Sequence, residues 1–286
     1  MAGILYLCAT PIGNLEDMTF RAIDTLKRVD LIAAEDTRHS RRLLDHFDIK
    51  TRMTSYHEYN RVEKAKYLVE LLEAGNNIAV ITDAGTPGIS DPGEVLVRLC
   101  HEAKIQVTSL PGACALINAL VSSGQETRRF AFEAFLPMDK KERKQILNRL
   151  EMEDRTIILY EAPHRLLRTL DELLDHLGNR SMTLCRELTK QYETIFLSDI
   201  KSIYEYYTEN QIKGECVLVI EGKSLEEQKK EEEKNYLAMD LEDHMNLYLE
   251  KGHSKKDAMK QVAKDRGVGK RDIYQELLQK NKDHKS

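Results

Sequence analysis

The segment with the clearest potential for chemistry spans residues 83–93, DAGTPGISDPG, directly after a predicted strand. Its three glycines and two prolines predict a tight loop whose backbone can approach a ligand closely. The loop contains two aspartates and no lysine or arginine, so it would repel a polyphosphate. A cationic ligand, or one rich in amine and hydroxyl groups, fits these charges better. An ordinary turn rich in Asp, Pro and Gly explains the composition equally well.

Two further turns follow predicted strands: TPIGN at residues 10–14 and LPGA at residues 110–113. In an open parallel sheet, ligands bind beyond the carboxyl ends of the strands, so the three turns together predict the rim of a ligand site. Gly85 and Gly112 are the positions where the backbone of these turns would meet the ligand. The sequence contains neither G-x-G-x-x-G nor G-x-x-x-x-G-K-[ST], which disfavours nicotinamide and nucleoside-triphosphate ligands.

Candidate acids and bases lie in loops that can face the same rim. Proton removal by a positioned side chain is a usual contribution to group transfer. The candidates are Glu35, Asp36 and His57, with Glu58 and His164 as further possibilities. A single loop histidine is more often a surface or structural residue. The spacing of Cys, His and Asp matches no metal site such as His-Glu-x-x-His or paired Cys-x-x-Cys, so we expect no metal.

A basic cluster follows these acids in the segment DTRHSRR. Asp36 suits the N-cap of a short helix, because its carboxylate can accept a backbone N–H there. Guanidinium groups suit phosphate oxygens because of their planar geometry. We therefore expect RNA contacts from this helix, although a solvated basic face has the same composition. The expected contacts are Arg38, Arg41 and Arg42, with His39 beside them.

The elements that position these residues alternate between short apolar strands and helical patterns, which predicts α/β domains with helices on both faces of a sheet. Residues 1–112 form the first predicted α/β domain, which carries the ligand loops. Residues 113–223 form the second. Its sheet should be partly antiparallel, because two strands meet near Gln191 with no helix between them.

The C-terminal part of the chain has a different composition. Residues 224–234 belong to a run with nine charged residues in twelve, KSLEEQKKEEEK, and are predicted to be a charged linker or a solvated helix. Residues 235–286 are predicted to form a small all-helical module. Leu237, Leu241, Met245 and Tyr248 recur at helical spacing, and two further helices flank Gly267-Val268-Gly269, the outline of a helix-turn-helix. Residues 251–274 carry eight Lys/Arg against three Asp.

Whole-chain composition limits the remaining classes. The formal net charge of −5 excludes a uniformly basic nucleic-acid binder, so RNA contacts must be local. The five cysteines are scattered without a Cys-x-x-Cys pair, which indicates a reducing compartment. No stretch is apolar for the roughly 18 residues that a membrane helix requires. The N-terminus lacks the features of a signal peptide. We therefore expect a cytoplasmic protein without membrane contact.

Five segments resemble, in order and spacing, the ribosomal RNA small subunit methyltransferase I family of the tetrapyrrole-methylase superfamily. They are LCATPIGNLEDMTFRAIDTL, AAEDTRHSRRLL, ITDAGTPGISDPG, LYEAPHRLLRTL and CRELTKQYE. The resemblance covers roughly residues 1–223. DAGTPGISDPG matches the signature of the family and is highly specific, and AEDTR separates this family from relatives that modify tetrapyrroles or form diphthine. The chain departs from the family at Tyr59, where a histidine is usual, and at Ala113-Cys114, where Pro-Ser is usual.

The resemblance implies S-adenosylmethionine-dependent methylation of a cytidine ribose 2′-hydroxyl in 16S rRNA. It also implies a homodimer whose substrate is 16S rRNA or the small ribosomal subunit. Two α/β domains would hold the methyl donor in a cleft between them. The residues implied in the donor pocket are Ile12, Gly13, Thr86, Ile89, Ala113 and Tyr160. We also assign Asn60 and Arg165 to RNA contacts.

Two other functions remain open at this stage. One is methylation of a small tetrapyrrole, which the basic helical module and AEDTR disfavour, because a small-molecule enzyme needs neither. The other is a non-catalytic RNA-binding or ribosome-assembly factor with the same fold. Donor binding distinguishes the latter, because a methyltransferase must bind the donor and an assembly factor need not.

Overall fold

The computed structural model describes residues 1–91 and 93–283, so Pro92 of the signature loop and residues 284–286 of the tail lie outside the described residues. The chain forms two compact units, residues 1–222 and 223–286. The two predicted α/β domains thus belong to one unit. Each of them nevertheless has a sheet of its own.

The first sheet is parallel throughout. As far as the chain is described, its strands are β1 (Ile4–Cys8), β2 (Leu31–Ala34), β3 (Met53–Ser55), β4 (Ile78–Ile81) and β5 (Gln106–Leu110). Their order is β3-β2-β4-β1-β5. Every residue of β2 and β4 is buried, as expected of apolar runs covered on both faces. Strand β3 was not predicted, because it is a three-residue edge strand without an apolar run.

Helices cover both faces of this sheet, which confirms the predicted α/β class. They are α1 (Phe20–Arg28), α2 (Thr37–His46), α3 (Arg61–Glu73) and α4 (Gly93–Glu102). On one face, Leu68 and Leu72 of α3 pack with Leu96 of α4 against the sheet. On the other, Leu26 of α1 packs with Leu44 of α2. The Asp36 carboxylate caps α2 as predicted, accepting the Arg38 backbone N–H at 2.7 Å.

The second sheet is mixed, as the meeting of two strands near Gln191 predicts. As far as the chain is described, its strands are β6 (Phe130–Phe135), β7 (Thr156–Glu161), β8 (Ser181–Arg186), β9 (Thr194–Asp199) and β10 (Cys216–Ile220). Their order is β6-β7-β10-β8-β9. Strands β6 and β7 pair in parallel, and the other described pairs are antiparallel.

This sheet also has helices on both faces. They are α5 (Ala115–Ser122), α6 (Lys140–Leu150), α7 (Leu166–Leu177) and α8 (Ile200–Glu209). Leu116 and Leu120 of α5 pack on one face beside Ile158 and Val219. The other face is covered by the longer apolar stripes of α6, α7 and α8. The face of the sheet that α5 covers also contributes side chains to the candidate site described below.

The C-terminal unit is helical, with α9 (Leu225–Ala238), α10 (Leu241–Glu250), α11 (Lys255–Asp265) and α12 (Lys270–Asp283). Of the two possibilities predicted for residues 224–234, the charged linker is wrong and the helix is present, because Ser224 caps α9 and the residues after it belong to that helix. Glu, Lys and Gln are strong helix formers. In addition, Ser224 and Glu227 form a capping box at the start of the helix, with the Ser224 hydroxyl accepting the Glu227 N–H at 3.1 Å.

The single helix predicted across residues 237–248 is also wrong, because the chain breaks at Met239 and Asp240 caps a new helix, α10. The predicted helix–turn–helix outline is present in α11 and α12. Gly267 turns the chain there with φ +64. The core of the unit includes Leu241, Val262 and Ile273. In the described part of the chain, no helix has the length and apolar character needed to cross a membrane.

Candidate active site

Hydrogen bonds join the three predicted turns at the carboxyl end of the first sheet. Thr10 and Gly85 exchange two backbone hydrogen bonds, of 2.9 and 3.0 Å. The Thr10 hydroxyl donates to the Thr82 carbonyl at 3.0 Å. The Thr86 hydroxyl donates to the Ala113 carbonyl at 2.9 Å. The turns therefore form one rim, as the topology rule predicts.

The signature loop requires glycine at its first turn. Gly85 has φ +85, a region that residues with a Cβ rarely adopt, and an added Cβ would lie 3.3 Å from Cγ2 of Ile12. Farther along, the Asp91 carboxylate accepts the N–H groups of Gly88 at 2.7 Å and Gly93 at 2.8 Å. Burial raises the pKa of Asp91, and these two hydrogen bonds act in the opposite direction. Asp91 thus holds the loop closed.

A cavity of about 410 Å³ opens beside this rim, within the range of about 300–1,000 Å³ that is typical of small-molecule sites. The loops after the first sheet supply part of its lining: Ile12, Glu35, Thr82, Ala84, Gly85, Thr86, Ile89, Ser90 and Asp91. The second sheet and its connections supply the rest, which includes Phe135, Tyr160, Glu161, Cys185, Glu187, Lys190, Glu215 and Val217. The cavity therefore lies between the two sheets of residues 1–222.

Tyr160, at the end of β7, forms an aromatic wall. Its ring packs edge-on against Phe132, with 4.9 Å between centroids, and against Phe135, with 5.6 Å. Its hydroxyl oxygen accepts the Leu116 backbone N–H at 3.1 Å. Burial raises the pKa of Tyr160 to about 12, so the hydroxyl stays neutral at working pH. The wall is rigid, and it carries no charge.

A strained turn after β8 brings charged groups to the opposite side of the cavity. Glu187 and Thr189 have φ +53 and +67, values that are uncommon for residues with a Cβ. The turn ends at Lys190, whose Nζ lies 2.9 Å from Glu187 Oε1 and 3.1 Å from Glu215 Oε2. Burial lowers the pKa of Lys190, but these hydrogen bonds outweigh it, and the pKa lies above its usual value. Lys190 is therefore a fixed cation.

Gly13 lies against the stem of Lys190. A Cβ added at Gly13 would be 2.3 Å from Cγ of Lys190. Gly112 is in a similar position against Ala9, whose Cβ would be 2.6 Å from an added Cβ. These glycines, with Ala113, belong to the described residues but lie outside the cavity lining. Their contribution to the predicted donor pocket is thus indirect: Gly13 and Gly112 leave space for Lys190 and Ala9, and the carbonyl of Ala113 accepts the Thr86 hydroxyl.

Among the three predicted catalytic residues, Glu35 lines the cavity. Its Oε2 accepts the Thr82 hydroxyl at 2.6 Å and lies 3.4 Å from the Asp83 backbone nitrogen. Asp36 is committed to capping α2, and the backbone N–H of Arg38 holds the pKa of Asp36 below its usual value. A carboxylate with a lowered pKa is a weaker base. The geometry therefore favours Glu35 over Asp36.

His57 and Asn60 form a local structure in the connection from β3 to α3. The Asn60 side-chain oxygen accepts the His57 backbone N–H at 2.9 Å, and its amide nitrogen is 3.4 Å from Nε2 of His57. Both residues are described, and neither is among those that line the cavity. The structure thus shows them shaping a turn, and it does not bring His57 to the site.

The three predicted RNA-binding arginines of α2 line one open groove. Arg38, Arg41 and Arg42 share it with Thr37 and with the residues of β3, and its volume is about 700 Å³. The Arg38 side chain is 92% exposed, and its guanidinium is 3.3 Å from the Asp36 carboxylate. The groove starts two residues beyond Glu35, which lines the cavity. The acidic residue at the cavity wall and the arginines of the groove therefore belong to one short segment of the chain.

Arg165, also predicted to contact RNA, has an internal role. Its Nη2 donates to the Leu136 carbonyl at 2.5 Å, and its Nε lies 3.3 Å from the buried Glu161 carboxylate. The Thr169 hydroxyl donates to the other oxygen of Glu161 at 2.5 Å. With 18% of its side chain exposed, Arg165 is occupied with holding the second domain together. The assignment of Arg165 to RNA binding is therefore not supported.

Most of the residues that the second sheet contributes to the cavity were not predicted from the sequence. Phe135, Glu187, Lys190 and Glu215 were not assigned to the site, although CRELTKQYE contains two of them. The one available signal was that motif itself, since nothing in its composition indicates a strained turn. In the described part of the chain, no three His, Cys, Asp or Glu residues are grouped so that they could hold a metal ion.

Comparison with known proteins defines the class. The family model of tetrapyrrole (corrin/porphyrin) methylases matches residues 4–204. The fold resembles that of a uroporphyrin-III C-methyltransferase from Thermus thermophilus, solved in complex with S-adenosyl homocysteine, at a TM-score of 0.55 and 17% identity over 77% of this chain and 97% of that one. It also resembles a diphthine synthase, at a TM-score of 0.58 and 11% identity over 77% and 90% of the two chains. The protein is a methyltransferase of the tetrapyrrole-methylase class.

Sequence relatives define the family within that class. A ribosomal RNA small subunit methyltransferase I from Synechocystis is 51% identical over 97% of this chain and 98% of its own length. The protein of that name from Bacillus subtilis is 47% identical over 95% of this chain and 93% of its own length. One from Haemophilus influenzae is 54% identical over 78% of this chain and 80% of its own length. The chain belongs to the ribosomal RNA small subunit methyltransferase I family, which confirms the resemblance stated from its motifs.

Proposed function

We propose that the chain methylates the 2′-hydroxyl of a cytidine ribose in 16S rRNA, as free RNA or in the small ribosomal subunit. The methyl donor is S-adenosylmethionine. The observation that carries the proposal is the open groove of Arg38, Arg41 and Arg42 beside an acid-lined cavity, in a chain whose close relatives are named for the small-subunit RNA. A small tetrapyrrole would need the cavity but not the groove.

The lining of the cavity fits the donor. When bound, the donor supplies an electrophilic methyl group on a cationic sulfonium. Ile12, Ile89 and Val217 offer apolar contacts, and Tyr160 offers a neutral aromatic wall. The positive φ of Gly85 turns the loop toward the pocket. Acidic side chains outnumber basic ones in the lining, which favours a cation.

Glu35 is our proposed general base. Hydrogen bonds from the Thr82 hydroxyl and the Asp83 backbone orient its carboxylate at the cavity wall. There it can take the proton that a ribose hydroxyl must lose. Such a base typically contributes about 10²–10⁴-fold, and fixing the hydroxyl in line with the methyl group contributes further. Asp36 assists by capping α2 and thereby orienting Arg38.

The arginine groove would hold phosphates on either side of the acceptor ribose. Such contacts position a nucleic acid without reading its sequence. The basic helices α11 and α12 would add affinity for RNA from the C-terminal unit. We further propose that the protein acts as a homodimer in the cytoplasm, as the family resemblance implies.

The direct test uses cells that lack the gene for this chain. Nucleosides of their 16S rRNA are mapped by mass spectrometry and compared with those of the parent strain. We expect loss of one 2′-O-methylcytidine, which returns when the purified chain and S-adenosylmethionine are added to the mutant small subunits. An unchanged nucleoside map would refute the proposal.

A further inference from the structure

Strand β6 contains a bulge just before the cavity. Phe132 is paired with Ile158 of β7, and Ala134 with the next residue, Leu159, so Glu133 is an extra residue in the strand. Ala134 has φ +51, an unfavourable backbone conformation for a residue with a Cβ. Bulges of this kind bend a strand, and they recur next to active sites, where they change the direction of a side chain.

The bulge determines which face Phe135 occupies. Side chains of a regular strand alternate between the two faces, so Phe132 and Phe135 would otherwise point in opposite directions. With the extra residue, both rings pack edge-on against Tyr160, at centroid distances of 4.9 and 5.6 Å. Phe135 therefore joins Tyr160 in the lining of the cavity. A regular strand would have directed it toward α6 and α7, where Leu159 packs.

The residue that follows Phe135 is buried and hydrogen-bonded, while Phe135 itself is only partly covered. Leu136 is 1% exposed, and its carbonyl accepts the Arg165 guanidinium. Arg165 is fixed in turn by Glu161, at 3.3 Å. The Phe135 side chain nevertheless remains 48% exposed at the edge of the cavity. An anchored aromatic ring that is open on one side is suited to stacking.

We propose that Phe135 is the stacking platform for the base of the nucleotide whose ribose is methylated, an inference that rests on the proposed function. A cavity of about 410 Å³ cannot admit an RNA helix, so the target nucleotide must leave its stack to bring the 2′-hydroxyl inside. Proteins commonly compensate an unstacked base with an aromatic side chain. Tyr160 packs against the Phe135 ring and holds it in place, because the Tyr160 hydroxyl is itself fixed by its hydrogen bond with the Leu116 backbone N–H.

The position of Phe135 favours the acceptor base over the adenine of the donor. The deep part of the cavity is lined by buried residues such as Ile12, Cys185 and Val217, where the donor can be enclosed. Phe135 lies at the exposed edge, where the RNA must enter. The base and the donor thus occupy opposite ends of one site.

The first test compares Phe135→Ala with Phe20→Ala as a matched control. Phe20 is 92% exposed on α1 and is not among the residues that line the cavity. With small subunits from cells lacking the gene, we expect Phe135→Ala to raise KM for the subunit about 5- to 150-fold, the range for loss of one base–aromatic stack. Donor affinity measured by calorimetry should remain unchanged, as should every parameter of the control.

The second test uses Phe135→Trp, which should restore KM and which introduces the only tryptophan of the chain. Deproteinised 16S rRNA from the mutant cells should quench its fluorescence, whereas S-adenosyl homocysteine alone should not. Quenching by S-adenosyl homocysteine, or loss of donor affinity in Phe135→Ala, would overturn the proposal in favour of an adenine platform. An unchanged KM in Phe135→Ala would also overturn it, as would an absence of quenching by rRNA that the wild-type chain methylates. The wild-type chain must methylate the subunit in the same assay, and its failure to do so would refute the proposed function instead.

Discussion

The two sheets of residues 1–222 meet the cavity in different ways. The first contributes the loops that follow its parallel strands, which hydrogen bonds such as those between Thr10 and Gly85 hold together. The second contributes the face of its strands at Tyr160 and Phe135, and one strained turn that ends at Lys190. The first half thus offers backbone and acidic groups, whereas the second offers an aromatic wall and a fixed ion pair.

This difference suggests a division of labour. In a parallel sheet, all the loops at one edge point the same way, so chemistry can be concentrated there with little change to the core. Antiparallel neighbours lack that shared edge, and their contribution depends on which face each side chain occupies. We therefore expect changes to the cavity-lining residues of the first half to affect turnover, and changes to the second half to affect shape and donor binding.

The largest expected effect tests the chemical role of the first half. Glu35→Gln keeps the size of the side chain and one oxygen acceptor for the Thr82 hydroxyl, but it removes the base. We expect kcat to fall roughly 10²–10⁴-fold, with little change in donor affinity. Single-turnover methylation and calorimetry measure the two quantities. A kcat within about threefold of the wild type would assign Glu35 a structural role and remove the distinction between the halves.

The next effect concerns the substrate side of the first half. Replacing Arg38 and Arg41 together by Ala removes two groove cations one turn apart on α2. Subunit affinity should fall about tenfold to a hundredfold. The slope of log affinity against log salt should become shallower by about 1.4, because each phosphate contact contributes about 0.7 for a single strand. Donor affinity should not change. An intact salt slope would mean that these arginines only cover a solvated helix.

These assignments show how much the sequence alone can predict. The α/β class, the turns that form the rim and the arginines of α2 follow from strand–helix alternation and from residue types within a single segment. Phe135 and Lys190 could not be predicted, because their positions depend on a bulge in β6 and on a turn with positive φ values. The bulge arises from the pairing of β6 with β7, and Lys190 is held by Glu215, which is distant in sequence. The internal contacts of Arg165 could not be predicted either, since its partner Leu136 is distant in sequence.

A double-mutant cycle measures the contact that joins the halves. Gly13→Ala would place a Cβ on the stem of Lys190, and Lys190→Ala would remove that stem. Alone, each change should weaken donor binding a few-fold, the first by a clash and the second because Glu187 and Glu215 lose the contact that holds them in place. Together they should cost less than the sum, with a coupling energy of about 1 kcal/mol. Additive effects would mean that the two halves bind the donor independently.

The smallest effect is expected at Tyr160, where the second half should act through shape. Tyr160→Phe keeps the ring that packs on Phe132 and Phe135 but leaves the Leu116 N–H without its acceptor. The free energy of unfolding should fall by about 1–2 kcal/mol.

Because the pKa of Tyr160 is raised to about 12, its hydroxyl remains protonated over the working pH range, and it cannot generate the pH dependence of turnover. The pH–rate curves of variant and wild type should therefore have the same form, with kcat differing by less than about threefold. A drop in kcat of more than about tenfold, or a shifted curve, would show that the hydroxyl acts on the reactants. In that case the aromatic wall would share in the chemistry that we assign to Glu35 in the first half.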